Sequence, residues 1–301
     1  MGKQARVLVP ATTANLGAGF DCMGMALELY NCFDFQLGSN EFSVTGEGQQ
    51  ELESDRGQLV YRAWDAAHAY RSRSAPSVKL HIESRIPIGR GLGSSATAVI
   101  AGLYAANHLG GLCLSTAELL SLATMIEGHP DNIAPALLGG LVVTAKEDNH
   151  SEVDYLVLDS CEELQVILAV PRFELSTSKA RSVLPEKVPY KDAVFNVGRA
   201  ALFIAAWTKK RWEVLGKAMA DRLHQPFRAA LVPGLEEVLT AAVEAGAVGA
   251  ALSGAGPSVV ALTIGNADEV GKVMQQAFID HGIECEIIET RPAIKGAHLA
   301  G

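Results

Sequence analysis

Pro87-Ile-Gly-Arg-Gly-Leu-Gly-Ser-Ser-Ala-Thr97 is the stretch on which the fold turns. Before it, Val78, Leu80 and Ile82 alternate as in a half-buried strand; after it, a small-residue segment from about Ser95 to Leu109 reads as a helix. Gly89, Gly91 and Gly93 therefore lie at a strand-to-helix junction, where backbone N–H groups can close on an anion. The helix start adds partial positive charge, and Ser94 and Ser95 offer hydroxyls to phosphate oxygens or a metal. A glycine-rich turn without a ligand is the plain alternative. Three familiar motifs do not account for the segment. A Walker loop needs Gly-Lys-Ser/Thr after four spacers, and none is present. Gly91-x-Gly93-x-x-Ala96 satisfies the dinucleotide pattern, but that pattern requires an acidic residue closing a second strand about 20 residues on, and the region of Glu118 reads as a helix capped by Ser115. A G-x-S-x-G elbow is absent, and Ser94 has no sequence-defined His partner.

Working outward, the first half opens with a short strand over 6–9 ended by Pro10, a glycine-punctuated loop, and apolar segments Met23–Leu37 and Glu41–Gly46. Residues 58–72 place Leu59, Val60, Ala63, Trp64, Ala67 and Tyr70 on one helical face. Ser115 and Glu118 form a capping box for a helix ending near Gly128, before His129-Pro-Asp-Asn132; apolar Leu137–Val143 closes the lobe. The acidic stretch Lys146–Asp154 is the first clearly solvated segment, which predicts a division into 1–155 and 156–301. In the second half a buried strand over 164–170 precedes helices at about 190–208, 211–222 and 234–245. Strands over 248–252 and 258–264 flank Ser253-Gly-Ala-Gly-Pro257, and a helix at 267–281 and a strand at 284–289 follow. This late β-turn-β-α-β run suggests a split-βαβ sandwich.

Pro87–Thr97 matches, position for position, the phosphate-loop signature P-x-G-x-G-L-G-S-S-A, and here the chain resembles the GHMP kinase superfamily and, within it, the homoserine kinase family. Pro10-Ala-Thr-Thr-Ala-Asn-Leu-Gly-Ala-Gly-Phe-Asp21 is similar to the first family motif, and Leu252-Ser-Gly-Ala-Gly-Pro-Ser258 to the third, glycine-rich one; the three motifs in order span nearly the whole chain. The resemblance implies an α+β, two-lobed GHMP kinase fold: an N-terminal ATP-binding lobe like domain 2 of ribosomal protein S5 and a ferredoxin-like C-terminal lobe. It also implies ATP-dependent phosphorylation of the L-homoserine hydroxyl, on the route to threonine, with Mg²⁺, ATP bound along 87–97 (Pro87, Ile88, Gly89, Arg90, Gly91, Leu92, Gly93, Ser94, Ser95, Ala96, Thr97), and a homodimer.

The implied acceptor site draws on the whole chain. Asp21 would pair with an ammonium group and Asn15 position a hydroxyl; read without the family, Asn15 is a left-handed turn residue and Asp21 a helix cap. In Glu127-Gly-His-Pro-Asp-Asn132, Asn132 stands where many GHMP kinases place a basic Asp, with His129 beside the substrate and Asp131 assigned to structure. An amide cannot take a proton, but the loose phosphoryl transition state needs positioning and charge neutralisation more than a strong base. The implied catalytic set is thus Asn132, Asp21 and Glu127, with Glu127 and a loop serine (Ser94 before Ser95) holding Mg²⁺. For the acceptor carboxylate the family positions are Arg181, with Thr177 one helical turn before it, and Arg228, with Gly254 of the third motif nearby. In isolation Glu127 reads as a helix-end carboxylate and the arginines as surface charges. Gln58 stands where relatives carry an Asn toward adenine, and Arg90 has no assigned role. The alternatives within reach are another small-molecule GHMP kinase, of mevalonate or shikimate type, and a catalytically silent ligand-binding protein of the same fold.

Composition bounds these readings. The chain has 301 residues, 49% hydrophobic and 20% charged, the profile of a globular protein with a full core and a length suited to two domains. Its 25 Lys and Arg against 34 Asp and Glu leave a net charge of −9, which argues against nucleic acid or anionic membrane as partner, though not against a small anion held locally. Five scattered cysteines without a CxxC pair speak against a disulfide framework, and no apolar run reaches the roughly 20 residues of a membrane span. The N-terminal residues carry no secretory core, so the expected location is the cytoplasm.

Overall fold

The structure, a computed structural model, describes residues 3–55, 57–146, 152–159 and 161–300. Its first half runs β1 (Gln4–Ala14), β2 (Met23–Leu37), β3 (Phe42–Gly46), α1 (Gln49–Asp55), α2 (Gln58–Tyr70), β4 (Val78–Ser84), α3 (Ser94–Gly110), α4 (Thr116–Glu127), α5 (Pro130–Leu138), β5 (Leu141–Lys146) and β6 (Val153–Leu158). The second half runs β7 (Gln165–Pro171), α6 (Thr177–Ser182), α7 (Tyr190–Thr208), α8 (Trp212–Ala218), α9 (Gln225–Arg228), α10 (Leu235–Glu244), β8 (Gly249–Leu252), β9 (Val259–Thr263), α11 (Ala267–Asp280), β10 (Cys285–Thr290) and β11 (His298–Leu299).

The strands form two sheets. The first has the order β11-β1-β2-β4-β3, with β5 joining β2 and β6 joining β5; only the β3–β4 pair is parallel. Strict alternation in β4 puts Val78, Leu80 and Ile82 against the packed helices α2 and α3. The second sheet has the order β10-β7-β9-β8, all antiparallel, and with α10 and α11 on one face it is the split-βαβ arrangement expected of this half. Val166, Leu168 and Val260 on its opposite face join Ala11, Leu16, Leu27, Ile86 and Leu92 of the first half in one apolar cluster, so the two halves share a core where they meet.

Several elements differ from the sequence expectation for identifiable reasons. The first strand does not stop at Pro10; the pairing slips there, from Pro10↔Tyr30 to Ala11↔Leu27, and this irregularity accommodates the missing N–H. Helix α1 buries none of its residues, so it leaves no apolar period to read. Helix α5 begins immediately after the previous helix, with Pro130 at its first position, where proline's missing donor costs nothing. The helix expected over 211–222 is shorter, 212–218. The division expected at 155 falls inside β6, which pairs with β5 from Lys146↔Val153 to Leu141↔Leu158 and so extends the first sheet. Much of the acidic stretch that suggested it, residues 147–151, lies outside the described residues. The chain also returns at its end to the first sheet, where Leu299 pairs with Val7. No helix among the described residues is long and apolar enough to cross a membrane.

Candidate active site

A cleft of about 360 Å³ lies between the halves and is lined by every sequence-expected site residue except Ala96. Ala96 is fully buried on the core side of α3. The floor is the 87–93 loop. Gly91 and Gly93 have φ of 73° and 72°, and a Cβ at either would overlap a neighbour: the Ser253 carbonyl oxygen at Gly91, the Thr12 hydroxyl at Gly93. Glycine is therefore required by both backbone conformation and contact. Through these contacts the three motifs close on one another. Thr12 N–H donates to Leu92 O at 3.1 Å, Gly254 N–H to Ala14 O at 3.0 Å, and the Ser253 hydroxyl to Gly91 O at 2.7 Å. Asn31, a polar residue inside the apolar pattern of β2, anchors the loop's entry: its Oδ1 accepts from the N–H groups of Arg85 (2.7 Å) and Ile86 (3.1 Å). Sequence reasoning passed over it, although a buried amide in a strand is itself a signal.

The loop delivers the chain into α3 with Ser94 as its first helical residue, so the free N–H groups of the first turn face the cleft. Consecutive helical residues point about 100° apart. It is Ser95, not Ser94, whose hydroxyl reaches Glu127 at the end of α4, donating to Oε2 at 2.7 Å. Arg90 folds back on its own loop, donating to Ile88 O at 2.9 Å and lying 3.5 Å from Glu174. At the far end the wall is made by Glu51, Leu52 and Asp55 of α1 and by Gly57 and Leu59; Gln58 is exposed and takes no part in the lining.

The other end is polar and chemically differentiated. Thr12 donates to Asn132 Oδ1 at 2.8 Å, which turns the Asn132 NH2 toward Asp131 (3.3 Å). Asp131, nearly fully buried, also accepts from His129 Nδ1 at 2.6 Å. Burial alone would push the His129 imidazolium down, but the hydrogen bond and charge of Asp131 outweigh it and hold His129 above its ordinary value. Asn15 sits in the left-handed conformation (φ 70°) with both ends of its amide engaged: Oδ1 accepts from Asp21 N–H at 3.0 Å and Nδ2 donates to Gly254 O at 2.8 Å. It is thus the turn residue that its bare sequence suggests and a staple between two motifs. Asp21, also left-handed at φ 57°, caps no helix. Its carboxylate takes both ends of the Arg181 guanidinium, at 2.7 and 3.0 Å, and that hydrogen-bonded pair raises the Arg181 pKa.

Arg228 is different. It is 2% exposed and held by Ala180 O (3.2 Å), Gly254 O (3.0 Å) and His224 Nδ1 (3.2 Å), all neutral acceptors. Among the described residues no carboxylate lies within ion-pair distance of it. Burial, with the charge of Arg181 nearby, pushes its pKa down against the opposing charges of Asp21, Asp131 and Asp221. Both guanidinium groups lie over the Phe20 ring, that of Arg181 at 5.6 Å and that of Arg228 at 5.2 Å from its centroid. Thr177 opens α6 one turn before Arg181, with Ser176 as N-cap, so both face the cleft as the four-residue spacing predicts. One end of the cleft therefore suits a polyanion held by amides and a helix start; the other suits a small molecule bearing an anionic group.

The GHMP kinases N terminal domain family matches residues 58–140, and the GHMP kinases C terminal family residues 202–280. A homoserine kinase of Carboxydothermus hydrogenoformans is 45% identical over 295 residues, covering 97% of this chain and 95% of the relative. One from Moorella thermoacetica is 44% identical, covering 97% and 98%. The crystal structure of a homoserine kinase from Cytophaga hutchinsonii superposes with a TM-score of 0.88 at 28% identity, over 100% of this chain and 98% of that one.

Proposed function

The chain belongs to the homoserine kinase family of the GHMP kinases, and from that membership and the cleft's geometry we propose how it phosphorylates L-homoserine. ATP is the phosphoryl donor and O-phospho-L-homoserine and ADP are the products, a step toward threonine. The observation that carries the site assignment is Arg228: a buried guanidinium with neutral acceptors only, opening onto the cleft that holds the phosphate loop. A buried cation without a direct ion pair is costly, and an acceptor carboxylate supplies that partner.

The triphosphate lies along 87–97, with the loop amides and the first turn of α3 as donors. Mg²⁺ fits the donors present. Ser95 and Glu127 offer hard oxygen atoms 2.7 Å apart at the edge of the phosphate site, with Ser94 beside them, and this ion accepts one carboxylate plus waters and substrate oxygens. When bound, the ion offsets charge on the transferring phosphoryl group. Arg181 and Arg228 take the homoserine carboxylate and Asp21 the ammonium; Thr177, His129 and Gly254 border the same pocket. Asn132, its amide oriented by Thr12, positions the acceptor hydroxyl. No side chain at 132 can accept the hydroxyl proton, which leaves through a phosphate oxygen or solvent as the loose transition state forms.

The assembly is a homodimer in this reading. What supports it, besides the family, is the exposed apolar strip of Tyr190, Val194 and Val197 along α7, which a second copy would cover. Light scattering that returned only the 31.8 kDa mass of one chain would contradict it. The reaction is tested by ³¹P NMR of an incubation with ATP, Mg²⁺ and L-homoserine. The expected product is a phosphate monoester on the side-chain oxygen, formed without detectable rate once EDTA has removed the divalent ion. ADP with free phosphate and no ester would contradict the proposal.

A further inference from the structure

We propose that His224 is a positioning residue for the acceptor: a neutral imidazole, protonated at Nε2, that sets the Arg228 fork and ties it to the 15–21 loop. The inference rests on the assignment of Arg228 to the acceptor carboxylate.

The protonation state follows from the partners. Gly17 O lies 2.8 Å from Nε2 and can only accept, so Nε2 carries the proton. Arg228 Nη1 lies 3.2 Å from Nδ1 and can only donate, so Nδ1 is bare. An imidazolium would lose the second bond and set a new cation 3.2 Å from a guanidinium that has no carboxylate within ion-pair distance among the described residues. Complete burial pushes the His224 pKa down, in agreement. Asp221 does not take the ring proton: its Oδ2 is 3.6 Å from Nε2. Its oxygens are engaged by Asn196 Nδ2 and by the backbone N–H groups of Leu223, His224 and Gln225, at 2.7 to 2.9 Å, which holds the turn that presents the ring.

The ring therefore bridges two parts of the acceptor pocket that are far apart in sequence. On one side it reaches the loop carrying Asn15 and Asp21 through Gly17 O, and it stacks on Phe20 of that loop with centroids 5.1 Å apart. On the other it accepts from Arg228 Nη1, which also donates to Gly254 O, while Nε of the same guanidinium donates to Ala180 O. Gly254 O also accepts from Asn15, so loop and fork are coupled a second time. His224 is not itself among the residues that line the cleft, which is why it acts through Arg228.

Steady-state kinetics of the full chain with ATP, Mg²⁺ and L-homoserine tests this. His224→Phe keeps a ring against Phe20 but removes both hydrogen bonds. Expected is a rise of about tenfold in the homoserine KM, the scale of one hydrogen bond to a charged group, with the ATP KM changed less than about twofold. His224→Gln, whose amide can accept from Arg228 and donate to Gly17, is expected to recover most of that loss. Combining His224→Phe with Arg228→Met should add nothing beyond Arg228→Met. An unchanged homoserine KM in His224→Phe, a parallel rise in both KM values, or full additivity with Arg228→Met would overturn the proposal. If Arg228→Met itself spares the homoserine KM, the underlying carboxylate assignment fails, and this inference with it. Should His224→Phe not fold, ¹⁵N spectra of the unaltered enzyme near neutral pH decide. The Nε2-protonated tautomer is expected, and Nδ1 protonation or an imidazolium would refute it.

Discussion

The Asp21–Arg181 pair shows how much a single contact changes the reading of a site. Each residue is assigned to one end of an amino-acid zwitterion, and in the structure each occupies the other. Homoserine entering between them would bring an ammonium and a carboxylate, so charge is exchanged and no ion is left unpaired. Both side chains are about one-third exposed, a setting in which an ion pair contributes only about 0–1 kcal/mol to stability. Arg181→Ala is therefore expected to raise the homoserine KM at least about tenfold while barely moving the melting temperature or the ATP KM. Loss of ATP affinity alone would contradict the assignment. The buried His224–Asp221 turn has the opposite character. Burial depresses the His224 pKa below its ordinary value; that of Asp221 is depressed too, its burial being outweighed by the adjoining His224 ring and by hydrogen bonds from Asn196, Leu223 and Gln225. Below pH 6.5 the unfolded chain binds a proton that folded His224 refuses, so its contribution, full above that pH, is lost on acidification; Asp221 acts in the same sense at lower pH. His129, with its raised pKa, acts oppositely, favouring the fold below 6.5. Melting curves from pH 8 to 5 should show the advantage of the unaltered enzyme over His224→Gln shrinking as pH falls below 6.5; an advantage that grows in acid would reverse the sign.

Among the elements, those legible in the sequence carried either a strong period or a local rule. Ser115 and Glu118 announced a capping box, and both reciprocal bonds are present, Glu118 N–H to Ser115 Oγ at 3.2 Å and Ser115 N–H to Glu118 Oε2 at 2.7 Å. Ser115→Ala is expected to cost about 1 kcal/mol in urea unfolding, with both KM values unchanged. The strand-loop-helix around 87–97 was equally readable, since glycine spacing and residue type allow little else. Helix α1 was not, because all its residues but Leu52 are polar and none is buried; it matters nonetheless, since Leu52 and Asp55 wall the far end of the cleft. Helix α5 was hidden by two prolines, Pro130 and Pro135, whose tolerated positions depend on where the helix starts. At the acceptor end, residue types were legible but partnerships were not. No spacing rule shows that Asp21 meets Arg181, 160 positions away, or that Asn15 and Arg228 share Gly254 O.

For the molecule as a whole, the two halves interlock. Their apolar cluster is shared, and the chain's last segment crosses back to the first sheet: Ala293 N–H donates to Ala26 O at 2.8 Å, Gly140 N–H to Ala293 O at 2.7 Å and Ala297 N–H to Ala136 O at 2.8 Å. Deleting residues 292–301 is expected to cost about 3–5 kcal/mol, or on the order of 10 °C in melting temperature, from lost backbone bonds and burial. An unaltered melting temperature would show that this return carries no weight. Global charge is a poor guide to the site. A chain of net charge −9 places Arg181, Arg228 and the start of α3 around one cleft, and it is on that local arrangement that the proposed acceptor chemistry rests. The most direct test is a coupled ADP-release assay with ATP, Mg²⁺ and an acceptor panel of L-homoserine, mevalonate, galactose and shikimate. ADP release should be strongly stimulated by L-homoserine and stay near the acceptor-free rate with the other three. Equal stimulation by all four, or none by homoserine, would contradict the zwitterion-binding cleft described above.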